Sequence, residues 1–223
     1  MIFRHVDRGY EDTAVLIPGW ACDYRVFASL DLRFNYLLPL DFSPFTFEKD
    51  ALAAFKKHGL GKVSLFGHSL GGFAASDFAS RHPDLVERLM MVSVRKRYPA
   101  KGLADIRGYL DKNKKAYLYR FYHSCFPDRE TMAWFRGNLL KRYCEESDLG
   151  RLLQALEYLE EAEIKTPSLK DVEDVTMVHG SLDRIAPIEE AVQINEALPE
   201  ACFITVEGAG HMPFLTKEFS GLI

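Results

Sequence analysis

The sequence predicts an α/β fold: a mostly parallel central sheet with helices on both faces and one helical insertion. Three observations predict it. Short apolar runs alternate with helical patterns over residues 1–94, and again over 172–223; this is how a sheet buried on both faces reads. Residues 95–171 between them carry long amphipathic stretches and no β-type run. The chain has 223 residues, 48% hydrophobic and 27% charged. That suits one domain, or a domain with a sizeable insertion, and its core needs no disulfide or metal to be stable.

The elements follow in order. Residues 2–6 read as an edge strand. Residues 14–17 form a β-rich run stopped by Pro18-Gly19. Residues 36–40 form a second run that ends at Asp41, and a helix is expected over about 46–58. Residues 63–66 form a third run, stopped by Gly67. The helix after it, 70–81, ends before Pro83 because proline disfavours helical geometry in the residue before it. Residues 89–92 form a fourth run. The insertion predicts helices near 103–122, 129–143 and 149–163. Beyond it, 175–178 and 203–206 are strand-like, with a helix near 188–197 between them.

Composition bounds the function. No run of 18 apolar residues exists, so no membrane span is expected. The start, Met1-Ile2-Phe3-Arg4-His5, lacks the basic and apolar regions of a secretory signal. Cys22, Cys125, Cys144 and Cys202 are widely spaced and show no metal-binding pattern. Four reduced thiols in a cytoplasmic protein are the expectation. A net charge of −4 argues against nucleic acid and membrane partners, although a total can hide a local excess.

The most informative residues are Gly67-His68-Ser69-Leu70-Gly71-Gly72, a G-x-S-x-G directly after a strand and directly before a helix. A serine there sits on a tight turn at a helix N-terminus, where backbone amides favour developing negative charge. Its hydroxyl needs a base, and histidine titrates in the right range. Of seven histidines, His211 lies on a Gly-rich loop just after the last strand and is the base candidate. Asp183 follows the strand that ends near His179 and is the orienting acid; its other reading is a turn or cap residue. The order Ser69, Asp183, His211 is a serine–acid–histidine order. For an oxyanion hole, Leu70 supplies one amide and Trp20, after the 14–17 strand, the second. Trp20 also suits core packing, and both readings hold together because only its amide is required.

These motifs identify the chain as a member of the α/β-hydrolase superfamily over nearly its whole length. Within it, the chain resembles the pimeloyl-[acyl-carrier-protein] methyl ester esterases of biotin synthesis. The match rests on Gly19-Trp20-Ala21 followed by Val26-Phe27, the Gly67-to-Gly72 turn, Ser181-Leu182-Asp183-Arg184-Ile185-Ala186-Pro187, and Gly210-His211-Met212-Pro213-Phe214. The resemblance implies a cytoplasmic serine carboxylesterase with triad Ser69, Asp183 and His211 and no cofactor or metal. It also implies a helical lid, between the sixth and seventh strands in that superfamily's counting, that docks an acidic acyl carrier protein. An acyl thioesterase or a general small-ester esterase shares the same machinery. Three departures stand out: Asp41-Phe42-Ser43-Pro44-Phe45 lacks the usual Gly-rich run, the lid is short, and the final helix is abbreviated.

Counting charges tests the docking idea. Residues 95–142 hold thirteen basic and four acidic residues, a net of +9 that leaves −13 for the rest. Such segregation would steer an acidic partner; a solvated helical face gives the same count. Arg107, Lys112, Lys114, Lys115 and Arg120 are the expected docking residues. The apolar substrate wall is expected from Trp20, Phe42, Phe121, Tyr122, Trp134, Phe135 and Phe214, although lid aromatics also serve internal packing.

Overall fold

A computed structural model describes residues 1–219. Among these residues seven strands form one sheet: β1 (Phe3–Val6), β2 (Thr13–Ile17), β3 (Asn35–Pro39), β4 (Val63–His68), β5 (Val86–Val92), β6 (Asp174–Gly180) and β7 (Cys202–Val206). Their spatial order is β1-β3-β2-β4-β5-β6-β7. Only β1 runs antiparallel, against β3; every other pairing is parallel. All residues of β2, β3 and β4 are buried. That is the cause of their unbroken apolar runs: a strand covered on both faces has no side on which a polar residue meets water.

Parallel strands need crossovers, and the helices supply them. α1 (Phe47–His58) precedes β4, and α2 (Leu70–Arg81) joins β4 to β5 and packs on both strands. α1 carries Glu48 and Asp50 in its first turn and Lys56, Lys57 and His58 in its last, charges that complement the helix dipole. The insertion lies between the chain's own fifth and sixth strands. It contains α3 (Ala100–Cys125), α4 (Arg129–Phe135), α5 (Lys141–Glu146) and α6 (Leu149–Glu161). α7 (Ile188–Glu196) then joins β6 to β7.

Two insertion helices differ from the expected ones. α3 is broken at Asn113, whose φ of −163° and ψ of 87° are not helical. The Asn113 side chain accepts from the Ala116 amide at 3.0 Å and so caps the second half. The single helix expected over 129–143 is α4 and α5 joined through a π-type turn at 136–140. Asp128 and Asp148 cap α4 and α6 by accepting from the amides of Thr131 (2.7 Å) and Arg151 (2.8 Å). The final helix expected after His211 falls partly on residues 220–223, outside the described residues; a 3-10 turn occupies Pro213–Leu215.

The register brings one set of strand ends together. Ile17 pairs with Gly67, Gly67 with Met91, Val92 with Val178, and Gly180 with Val206. The loops after β2, β4, β5, β6 and β7 therefore leave the same edge, the C-terminal edge where ligands of open α/β sheets bind.

Candidate active site

Ser69 follows β4 and has φ 52° and ψ −115°, a conformation that non-glycine residues rarely adopt. The turn is held by the Ser69 amide donating to the Val92 carbonyl at 2.8 Å. It is possible only because two neighbours lack a side chain. A Cβ on Gly67 would lie 2.5 Å from the Gly71 carbonyl oxygen, and one on Gly71 would lie 2.3 Å from that of Ile17. The G-x-S-x-G spacing is thus a packing requirement of the turn.

His211 reaches this serine from the loop after β7. Its Nε2 is 3.0 Å from Ser69 Oγ, and its Nδ1 is 2.8 Å from Asp183 Oδ2. The other Asp183 oxygen accepts from the amides of Ile185 (2.8 Å) and Ala186 (3.0 Å). All three residues are buried. Burial works against the Asp183 charge, but the charge and hydrogen bond of His211, His179 and the Ala186 amide together hold its carboxyl below the ordinary value. An ionised Asp183 fixes the proton of His211 on Nδ1 and leaves Nε2 free to accept from the serine.

Two further histidines support this row, and sequence reasoning did not find their roles. His68 Nε2 donates to the His211 carbonyl at 2.8 Å, and its ring centre lies 5.0 Å from that of His211. Burial, reinforced by His211, lowers its pKa to about 3, so it stays neutral. His179 Nε2 donates to the Ala186 carbonyl at 2.7 Å and lies 3.5 Å from Asp183 Oδ2. Burial keeps its pKa below the usual value. Tyr98, on the segment between β5 and α3, places its hydroxyl 3.4 Å from Ser69 Oγ. Its position after a strand of the site edge was the only sequence signal available.

The expected oxyanion residues, Trp20 and Leu70, both line a cavity of about 730 Å³. Loop residues 40–44 and 46, and residues between 142 and 155 of the insertion, form its far wall. The Trp20 ring is pinned by its indole N–H donating to the Leu152 carbonyl at 3.1 Å and by edge contact with Phe121, 5.0 Å between ring centres. Of the seven aromatics expected on the wall, Trp20 and Phe42 line this cavity. Tyr122, Phe135 and Phe214 do not, because they are spent on packing. Tyr122 is fully buried and donates to the Ala21 carbonyl, and its ring stands beside Phe135. Phe214 packs on Phe27, Phe66 and His68 beneath the serine turn. Phe121 and Trp134 are half-buried against the core and also stand outside the cavity wall. The wall is charged as well as apolar: Arg25, Arg142 and Arg151 stand beside Asp23, Glu146 and Asp148.

The expected docking cations mostly have partners inside the lid. Arg107 pairs with Glu160 (3.0 Å) and Lys115 with Glu145 (2.8 Å), while Lys114 donates to the Ser147 carbonyl. The Arg120 guanidinium lies over the Tyr109 ring at 5.5 Å. Lys112 is exposed, with no ion pair among the described residues. The reason is in the next stretch of chain: residues 143–171 hold eight acidic residues and three basic ones, and they fold back on the basic stretch.

A strained serine on a strand-to-helix turn, bonded to a histidine that a buried aspartate orients, has the geometry of a nucleophile, its base and an orienting acid. The family model described as the alpha/beta hydrolase family matches residues 14–219. The chain belongs to that family. A pimeloyl-[acyl-carrier protein] methyl ester esterase of Chromobacterium violaceum is 28% identical to this hydrolase, covering 94% of this chain and 91% of that one. An esterase from Exiguobacterium antarcticum has the same fold, with TM-score 0.81 and 17% identity over 98% of this chain and 92% of that one. A bromoperoxidase from Bacillus anthracis superposes equally well, with TM-score 0.83 and 17% identity over 99% and 92%. The fold therefore does not decide the reaction, and the site must.

Proposed function

We propose that this carboxylic ester hydrolase acts in the cytoplasm on the methyl ester of a pimeloyl group carried by acyl carrier protein, through an acyl-enzyme. The observation that carries the mechanism is the unbroken relay from Ser69 Oγ through His211 to Asp183. Ser69 attacks the ester carbonyl as His211 Nε2 takes its proton. Asp183 stabilises the imidazolium. The amides of Trp20 and Leu70 receive the oxyanion, each such donor contributing roughly 100- to 1,000-fold in rate. The imidazolium gives its proton to the departing methoxide, and methanol leaves. Water, activated by the same histidine, then frees the acid.

The name and near full-length match of the Chromobacterium relative support the substrate. Hydrolysis of p-nitrophenyl acetate or butyrate tests the mechanism. Ser69→Ala should abolish it with the fold intact, and a wild-type rate in that variant would refute it. Methyl pimeloyl carrier protein, assayed beside its thioester and a panel of small esters, tests the substrate. Reversing Lys112, Lys114 and Lys115 to Glu should weaken action on the carrier-linked ester and spare small ones; equal losses count against docking. A second reading, a general small-ester esterase, is favoured by one observation. Arg107, Lys114 and Lys115 already have partners within the lid and are less free to meet a carrier.

A further inference from the structure

The relay described above accounts for one neighbour of the Ser69 hydroxyl, and the structure holds a second. Tyr98 Oη lies 3.4 Å from Ser69 Oγ, the long end of hydrogen-bond reach. Catalytic hydrogen bonds are often long in a resting enzyme and tighten as charge develops. The tyrosine is placed by three contacts. Pro99, the next residue, opens α3. The Arg95 guanidinium lies over the Tyr98 ring at 5.0 Å and is held by Glu190 of α7, Nε to Oε2 2.9 Å. The Phe73 ring of α2 is 6.0 Å away. The phenol is thus fixed from α2, from α7 and from the start of the lid.

Proton counting gives the bond its direction. His211 Nε2 has no proton when Nδ1 donates to Asp183, so Ser69 must donate to Nε2. The serine has a single proton, and its oxygen then meets Tyr98 as an acceptor. Burial pushes the Tyr98 phenol up to about 12, so it keeps its proton over the whole working range.

We propose that Tyr98 is a further catalytic residue, a fixed donor to Ser69 Oγ that completes the chain Tyr98 to Ser69 to His211 to Asp183. In the resting state its bond turns the serine proton toward His211 Nε2. In acylation, the Oγ–H bond breaks as the Oγ–carbon bond forms, and Tyr98 stabilises the charge that accumulates on Oγ between these events. In deacylation, the carbon–Oγ bond breaks, Oγ recovers its proton from the imidazolium, and the same donor stabilises it as a leaving group. The tyrosine keeps its own proton throughout.

This inference rests on Ser69 being a nucleophile but not on the identity of the natural ester. Its test therefore uses a fluorophosphonate probe, which reads attack by Oγ directly, beside p-nitrophenyl butyrate turnover. Tyr98→Phe should slow both the labelling rate and kcat by about 10- to 150-fold, the range of one hydrogen bond to a charged atom, with KM and Tm nearly unchanged. A labelling rate within twofold of wild type would overturn the proposal, as would a rise in KM alone. A second experiment replaces Tyr98 with ring-fluorinated tyrosines of increasing acidity, which keep the shape and lose the proton at progressively lower pH. Labelling should acquire an alkaline fall that moves to lower pH with each added fluorine. A series with no such fall overturns the donor role even if Tyr98→Phe is slow. Wild-type protein that takes no label would refute the nucleophile itself. Labelling with no turnover of carrier-linked ester would refute only the substrate.

Discussion

His68 offers a measurement in which the structure sets the magnitude. Its imidazole is 1% exposed, and burial lowers its pKa to about 3, whereas in the unfolded chain it titrates near 6.5. Between these values the unfolded state binds a proton that the folded state does not, so stability rises with pH and is lost as pH falls below about 6.5. From pH 7 to pH 5 the linkage removes about 2 kcal/mol, a large part of the roughly 5–15 kcal/mol that holds a domain together. Urea unfolding of wild type and His68→Gln at both pH values isolates the contribution. Glutamine keeps an N–H donor for the His211 carbonyl and has nothing to titrate. Any constant cost of the substitution cancels, because the quantity read is the difference between pH values. His179 acts in the same direction in both proteins and also cancels. Asp183 does not intrude: its folded pKa is lowered, so its contribution is lost only as pH falls below the ordinary carboxyl range. The wild type should lose about 2 kcal/mol more than His68→Gln. Losses equal within about 0.5 kcal/mol would refute the claim that His68 is buried neutral.

Three substitutions test the turn and the relay. Ser69→Gly should stabilise the fold by about 1 kcal/mol while ending hydrolysis, because glycine adopts φ 52° freely; thermal unfolding reads this, and a lower Tm would argue against strain. Gly71→Ala should destabilise by about 3 kcal/mol or more, since the new Cβ meets backbone rather than a movable side chain; denaturant titration checks it, and a loss under about 1 kcal/mol would mean the turn yields easily. Asp183→Asn should lower kcat about 10,000-fold with little change in KM. A loss below tenfold would show that His211 is oriented by something else.

The central strands β2 and β4 were legible because they are covered on both faces, so that burial writes an apolar run with no alternation to decode. The edge strand β1 was read with the rest, although it is only half-buried. Ser69, Asp183 and His211 were legible for a different reason: each follows a strand end, and parallel strands bring such ends to one edge. What was hidden depends on side-chain direction across the interior. Nothing local distinguishes Phe214, which fills the core under the turn, from Phe42, which lines the cavity. Tyr98 carries no motif, since its relation to Ser69 spans 29 residues and is made by packing on Arg95 and Phe73. The setting of the lid charge was hidden for a related reason. A net of +9 over 95–142 describes a segment of sequence, but α5 and α6 bring Glu145 and Glu160 onto Lys115 and Arg107.

The insertion is bound at several points into the loops that carry Trp20, Asp23 and His211. The Cys125 carbonyl accepts from the His211 amide at 2.9 Å, the Tyr122 hydroxyl donates to the Ala21 carbonyl, and the Leu152 carbonyl accepts from the Trp20 indole. Tyr143 donates to Asp23 at 2.9 Å. Both the Trp20 loop and the His211 loop are therefore held by residues of the insertion. A lid that swung away as a rigid flap would release Trp20 and His211 together and dismantle the site it uncovers. Substrate entry by local rearrangement keeps these bonds. The cavity lined by Trp20 and Leu70 reaches the residue next to Ser69. The insertion thereby forms part of the wall of that cavity, through Arg142, Tyr143, Arg151 and Leu152.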